Sequence, residues 1–200
     1  MGHTLVLVRH GEQRDAEHGV DDGELSERGV AQSRLLAERL SGVTFSNVWH
    51  SPFDRSADTA RVIKESLPKI NPQPSALLMD CVPSGPTPDV PAAYKSYFTP
   101  VSEAQIEAGA AQMADAVAEY LGPGIKGQTD LLITHNSVIA WFVREVLDAP
   151  TWKWLTLSQA HCGITVLHQR TGRPWVLTSH NDVGHLPPEL RTGLTELYSV

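Results

Sequence analysis

Two hundred residues, 41% of them hydrophobic, suffice for one domain with a sizeable core, and no apolar run is long enough to span a membrane. A net charge of −7 excludes a general nucleic-acid binder, which wants a basic surface, but not a pocket for one anion. The only cysteines, Cys81 and Cys162, form no metal or redox motif, so the expected setting is reducing and cytoplasmic.

The first apolar run, Leu5 to Val8, has the continuous Leu/Val character of a strand buried on both faces in a parallel sheet. It ends abruptly in Arg9, His10 and Gly11. Those residues then lie just past the carboxyl edge of the sheet, where open α/β sheets bind ligands. A polar loop, Glu12 to Glu24, follows, with Gly11, Gly19 and Gly23 as its flexible points. Ser26 is the expected cap of a helix running to about Leu40. Val43 to His50 reads as a second strand, strongest at Asn47 to Trp49. Ser51 as N-cap and Pro52 at the first helical position predict a second helix, ending near Leu67 and Pro68. Arg55 falls in its first turn, on the edge that already carries Arg9 and His10.

A third apolar run, Ala76 to Met79, ends in Asp80. The proline-rich residues 80–101 read as a lid or loop over the site, with Tyr94, Tyr97 and Phe98 as its apolar contacts. Ser102 and Gln105 form a capping box for the most periodic helix, in which Ile106, Ala110, Met113, Val117 and Leu121 share a face. Thr129 to Thr134 is another buried strand. It ends in His135 and Asn136, with Ser137 opening a helix. Trp152 and Trp154 are expected to pack a short turn on that helix. Strands near Gly163–His168 and Trp175–Ser179 are joined by a turn at Thr171–Pro174 as an edge hairpin. The stretch NDVGHLPPEL is expected to end the ordered chain.

One sheet edge thus gathers Arg9, His10, Arg55, Asp80 and His135. A phosphomonoester is close to a dianion at neutral pH, and guanidinium forks suit its oxygens. A neutral imidazole is a competent nucleophile at phosphorus, a second histidine can hold transition-state charge, and a carboxylic acid must protonate the leaving oxygen. Two arginines and two histidines supply enough positive field without a metal. His3, His18, His50, His161, His168 and His180 show no ligand spacing, so neither a metal nor a cofactor is expected.

These motifs also carry a resemblance. RHG at Arg9 to Gly11, then LSERGVAQSRLLAERL, SPFDRSADTA and ITHNSVI, in this order from Thr4 to about Leu190, resemble the histidine phosphatase superfamily, the phosphoglycerate-mutase-like fold. The resemblance implies a three-layer α/β/α sandwich with a mostly parallel central sheet, a single domain over 1–200. It implies that His10 becomes phosphohistidine, that Arg9, Arg55 and His135 form the phosphate pocket, and that hydrolysis proceeds in two steps without metal. LLMDCVP with its proline-rich sequel, THNSVIAWFVREVL and DVGHLPP resemble the protein serine/threonine phosphatases of that superfamily. That branch puts the general acid at Asp80, where it usually has Glu. It also puts Asn136 where many relatives have Gly, so that its side chain narrows the phosphate pocket or adds a contact there. His185 is read as supporting the site or as structural. The chain starts on its first strand, so the membrane anchoring of a mitochondrial relative is not carried over. The expected partner is a phosphorylated small molecule or a phosphoprotein, with no nucleic acid and no membrane; the sequence leaves the oligomeric state open. A phosphate-binding regulatory module and a phosphoglycerate-type mutase are the competing readings.

Overall fold

A computed structural model describes residues 2–15, 18 and 21–194. Gly19 of the first loop and the two ends of the 1–200 span lie outside these residues. The backbone forms a six-stranded sheet in the order β3-β2-β4-β1-β5-β6. The strands are β1 His3–Arg9, β2 Asn47–His50, β3 Gln73–Pro74, β4 Thr129–Thr134, β5 Ile164–Gln169 and β6 Trp175–Asp182. Strands β1 to β4 pair in parallel, whereas β5 runs antiparallel to both β1 and β6. The sheet is therefore mostly parallel, with the expected hairpin at one edge.

Period-two alternation sorts the strand residues into two cores. Leu5, Leu7 and Leu132 face α4 (Glu103–Tyr120) and α5 (Asn136–Val146), where Met113, Ile139 and Phe142 meet them. Val6, Val8, Leu131 and Ile133 face α1 (Glu27–Leu40) and α2 (Asp54–Ser66), against Leu36, Leu40 and Ile63. Helices on both faces leave only the strand ends open. Each fully buried leucine or phenylalanine contributes about 1.5–3 kcal/mol relative to exposure, so this double burial fixes β1 and β4 as the centre.

Several local expectations hold. Ser26 caps α1 by accepting from the Gly29 amide, and the Ser102/Gln105 capping box starts α4. Others change. The second strand starts only at Asn47, because its partner β4 begins pairing at Asp130. Helix α2 starts at Asp54 with no side-chain cap, since the Ser51 hydroxyl bonds the Phe53 amide and His135 instead. Ser137 lies in the first turn of α5, one residue after its start, with its hydroxyl turned to Asp80. The Ala76–Leu78 run is a single 3₁₀ turn.

Residues 80–101 contain only a short helix α3, Ala92–Lys95, and one 3₁₀ turn. Val90 and Phe98 bury against Ala140 and Trp154, in a small satellite core beside α5. Trp154 donates to Ser84 at 2.9 Å and Trp152 to Asp89 at 3.1 Å, so the two tryptophans tie this segment down. NDVGHLPPEL does not end the ordered chain: residues beyond it reach back to the site.

Candidate active site

The ends of β1, β2 and β4 converge with the first turn of α2. At the end of β1 the chain passes very close to α1. A Cβ on Gly11 would lie 2.7 Å from the Gly29 carbonyl, and one on Gly29 would lie 2.1 Å from the Glu12 carbonyl. This mutual approach, rather than a left-handed turn, is why both positions are glycine. The Gly11 amide donates to Thr59 of α2 at 3.0 Å, which fixes His10 relative to Arg55 one turn away.

His10 is buried, and its Nδ1 lies 2.7 Å from the Gly11 carbonyl. A carbonyl only accepts, so the ring proton is assigned to Nδ1 and Nε2 keeps its lone pair. Arg55 Nε donates to that Nε2 at 3.2 Å. Burial first, then the cations Arg9 and Arg55 and the neighbouring histidines, hold His10 well below the usual imidazole range. The imidazole is therefore neutral at physiological pH, with its unprotonated nitrogen turned toward a guanidinium.

Arg55 is buried and divides its remaining donors. Nη1 reaches the Asp21 carbonyl at 2.9 Å and Asp22 at 3.0 Å; Nη2 reaches His135 Nδ1 at 3.2 Å and Asp80 at 3.5 Å. Its charge rests on the Phe53 ring, 4.8 Å from the centroid. Because Arg55 only donates, His135 accepts at Nδ1, and its Nε2–H donates to Ser51 at 2.8 Å. The two site histidines thus carry opposite tautomers. Burial outweighs Asp80 and pushes His135 down to about 3.

Arg9 is held differently. Its Nη1 donates to the Gln159 carbonyl at 2.7 Å and the Gly193 carbonyl at 2.8 Å, while its buried Nε has no partner among the described residues. Desolvation lowers Arg9 to about 10, so it remains a cation. Asp80 accepts from Ser137 at 2.5 Å, and its side chain is 45% exposed. Gln112 and Thr134 bind the Met79 and Leu78 carbonyls just before it, which places the carboxyl at the rim.

Arg9, His10, Arg55 and Asp80 line a cavity of about 760 Å³, together with Glu12 and Arg28 among others. A second cavity of about 690 Å³ shares Asp21, Arg55 and Asp80 and continues past Phe53, Val82 and Tyr97. His135 sits behind Arg55, its ring centroid 5.1 Å from that of His10. Asn136 lines neither cavity, and its amide oxygen accepts from the Gln159 amide at 2.7 Å. Asn136 therefore braces the loop whose carbonyl holds Arg9. His185 lies by Asp182, away from the cavities.

The residue passed over in the sequence is His161. It lines the first cavity, and its ring centroid is 5.5 Å from that of His10. No local pattern marks it. It precedes β5, and β5 reaches this edge only because it pairs antiparallel with β1, Val8 opposite Ile164. Among the described residues, no cluster of three or more His, Cys, Asp or Glu is arranged to hold a metal ion. A neutral imidazole whose unprotonated nitrogen faces Arg55, in a cavity that Arg9 also lines, can draw in a phosphate dianion and attack it once Arg55 turns its N–H to the phosphate.

Known proteins resemble this chain in sequence and in fold. The sequence profile of the histidine phosphatase superfamily (branch 1) matches residues 5–82. The mitochondrial serine/threonine-protein phosphatase Pgam5 of Caenorhabditis briggsae is 31% identical over 192 residues, covering 92% of this chain and 65% of that protein. The human protein of the same name is 28% identical, covering 92% and 64%. The chain thus spans just under two thirds of the length of these relatives. The solved phosphoserine phosphatase of Entamoeba histolytica, crystallised with 3-phosphoglyceric acid, superposes with a TM-score of 0.70 at 20% identity, covering 92% of this chain and all of that one. The cytoplasmic setting expected from the isolated cysteines is overturned by the relatives, which are named as mitochondrial proteins; absence of a disulfide pattern does not separate the two compartments. In fold, in its convergent arginines and histidines and in these relatives, the chain resembles the histidine phosphatase superfamily, and within it the Pgam5 phosphatases.

Proposed function

We propose that the chain hydrolyses phosphomonoesters through a covalent phosphohistidine on His10. The observation that carries this reading is the Nδ1 contact of His10 to the Gly11 carbonyl, which leaves the Nε2 lone pair facing Arg55 in the cavity that Arg9 and Arg55 line. Nε2 attacks phosphorus, the P–N bond forms as the P–O bond to the leaving group breaks, and the electron pair departs with that oxygen. Arg9 and Arg55 bind the non-bridging oxygens, and His135 supports their charge from behind Arg55. Asp80, at the rim, gives a proton to the leaving oxygen. In the second step it takes one back from the water that cleaves the P–N bond and releases phosphate and free His10. Positive charge comes from the two guanidiniums, so no metal is assigned. Asn136 acts by bracing the Gln159 loop rather than by touching phosphate.

The substrate class we favour is phosphoserine or phosphothreonine in a protein. The names of the relatives support it, and so does the second cavity, which offers room for a body larger than the phosphoryl group. Residues 80–101 form one wall of that cavity through Cys81, Val82 and Tyr97, and we assign them to substrate contact.

The test is hydrolysis of an aryl phosphate in excess chelator by the native chain and by His10→Ala. Activity that survives chelator, yields an acid-labile phosphoprotein on quenching and disappears in the variant is expected. An inactive native chain that still binds inorganic phosphate would make it a regulatory phosphate-binding module instead.

A further inference from the structure

We infer that His161 is a third imidazole of the anion pocket, donating its Nε2–H to a phosphoryl oxygen beside His10. The inference deepens the phosphatase reading and rests on it. Three observations lead to it.

The first is placement. His161 lines the same cavity as Arg9, His10 and Arg55, and its ring packs against that of His10. His10 is thus flanked by two imidazoles, with centroids at 5.1 and 5.5 Å.

The second is how firmly its loop is held. The Gln159 amide donates to Asn136, the Ala160 amide to Asn181, the His161 amide to the Thr192 carbonyl and the Cys162 amide to the Arg9 carbonyl. Cys162 has φ +55° and Asn181 φ +53°, left-handed conformations that cost energy at non-glycine positions and persist only where surroundings over-determine them. Here one such residue follows His161 directly and the other holds the Ala160 amide just before it.

The third is the proton. His161 Nδ1 is 2.9 Å from the Thr192 hydroxyl. That hydroxyl accepts from Gln32 Nε2 at 2.9 Å. The orientation of the Gln32 amide is fixed at its other end, where Oε1 accepts from the Glu12 backbone N–H at 2.9 Å. The Gln32 N–H takes one of the two lone pairs of the hydroxyl oxygen, and the inference assigns the Thr192 hydrogen to His161 Nδ1. The imidazole proton is then on Nε2, away from Thr192. Burial first, then Arg9 and Arg55, lower His161 to about 2, so it acts as a neutral donor and not as a cation. A neutral donor adds a hydrogen bond to the dianion while leaving the field of the arginines unchanged. The segment behind it is close-fitting: Gly193 has φ +83°, and a Cβ there would lie 2.7 Å from both Arg9 Nη1 and His161 Nδ1.

The experiment compares the native chain with His161→Ala, His161→Asn and Thr192→Val in aryl phosphate hydrolysis and in calorimetric binding of inorganic phosphate, with folding checked by circular dichroism. Nitrogen-15 spectra of the native chain report the tautomer. The expected result is an Nε2–H tautomer for His161, shifted on adding inorganic phosphate. His161→Ala loses about 10²-fold in kcat/KM, the scale of one pre-organised donor. His161→Asn, which keeps an N–H, recovers part of that loss, and Thr192→Val falls between. If His161→Ala fails to fold, the native tautomer, its phosphate shift and the Asn variant decide. Native turnover with His161→Ala unchanged in kcat, KM and phosphate affinity overturns the role of His161 alone, as does an Nδ1–H tautomer that phosphate leaves unmoved. A native chain that neither turns over nor binds phosphate overturns the phosphatase reading and this inference with it.

Discussion

The two arginines of the site make opposite bargains with their surroundings. Arg55 lies among acids: Asp22 at 3.0 Å, Asp80 at 3.5 Å and the Asp21 carbonyl at 2.9 Å share its donors. Arg9 is held by two neutral backbone carbonyls and, among the described residues, keeps a buried Nε with no partner. An incoming phosphate must therefore compete with hydrogen-bonded carboxylates for Arg55, whereas Arg9 feels Asp80 only through space. Two residues of one type on one sheet edge have different work: Arg9 attracts, whereas Arg55 exchanges partners and touches the nucleophile.

The comparison can be broken at several points. Arg55→Ala should have the largest effect, about 10³-fold in kcat/KM, because it removes a phosphate donor and leaves Asp22 and Asp80 unpaired beside the anion. Arg9→Ala should cost about 10²-fold, seen mainly in phosphate affinity. Adding Asp22→Asn should partly rescue Arg55→Ala and leave Arg9→Ala unrescued. Equal rescue of both would show that the two arginines are equivalent, against this picture.

Asp80→Asn comes next. It should slow alkyl phosphates by about 10²-fold or more and activated aryl phosphates much less, since a good leaving group needs no proton. Steady-state rates on the two substrate types settle the point, and equal slowing would remove Asp80 from the acid role.

The site histidines make a prediction about stability. His10, His135 and His161 are all held below the usual imidazole range by burial. The unfolded chain therefore takes up protons at these residues as pH falls through about 6.5, while the folded chain does not. Their neutral forms cost nothing above that pH. Below it, each subtracts up to about 1.4 kcal/mol per pH unit, continuing toward about 3 for His135 and about 2 for His161. Urea midpoints should fall between pH 7.5 and 5.5, and His161→Asn should flatten the fall. A midpoint independent of pH would contradict the burial of these rings.

The smallest effect expected is that of Asp22→Asn alone. Removing one competitor for a buried guanidinium should tighten inorganic phosphate binding by a few-fold, measured by calorimetry. Weaker binding would mean that Asp22 orients Arg55 more than it occupies it.

The Arg55 side of the site was largely legible before the fold. Arg9, His10, Arg55 and His135 each follow a strand or start a helix, and a strand-to-helix junction must lie at the carboxyl edge of a parallel sheet. The core was legible for the same reason: Leu5 to Val8 and Leu131 to Ile133 are too apolar to be anything but central. The other side was not. His161, Thr192 and Gly193 sit on no motif, and Ser51 reads as a helix cap and Ser137 as a helix start although their hydroxyls bind His135 and Asp80. Local pattern reports what a residue does for its own segment. It is silent where a side chain forgoes the local bond for a distant one.

The strands themselves, the helix faces and the nucleophile with its two arginines follow from periodicity and from residues adjacent in the chain, because hydrophobic burial acts on every strand in the same way. The tautomers of His10 and His135, the acids gripping Arg55 and the arrival of His161 depend on contacts between residues tens to more than a hundred positions apart. Only the antiparallel pairing of β5 with β1, and the packing of the segment around Thr192 over Arg9, bring those atoms within hydrogen-bonding reach.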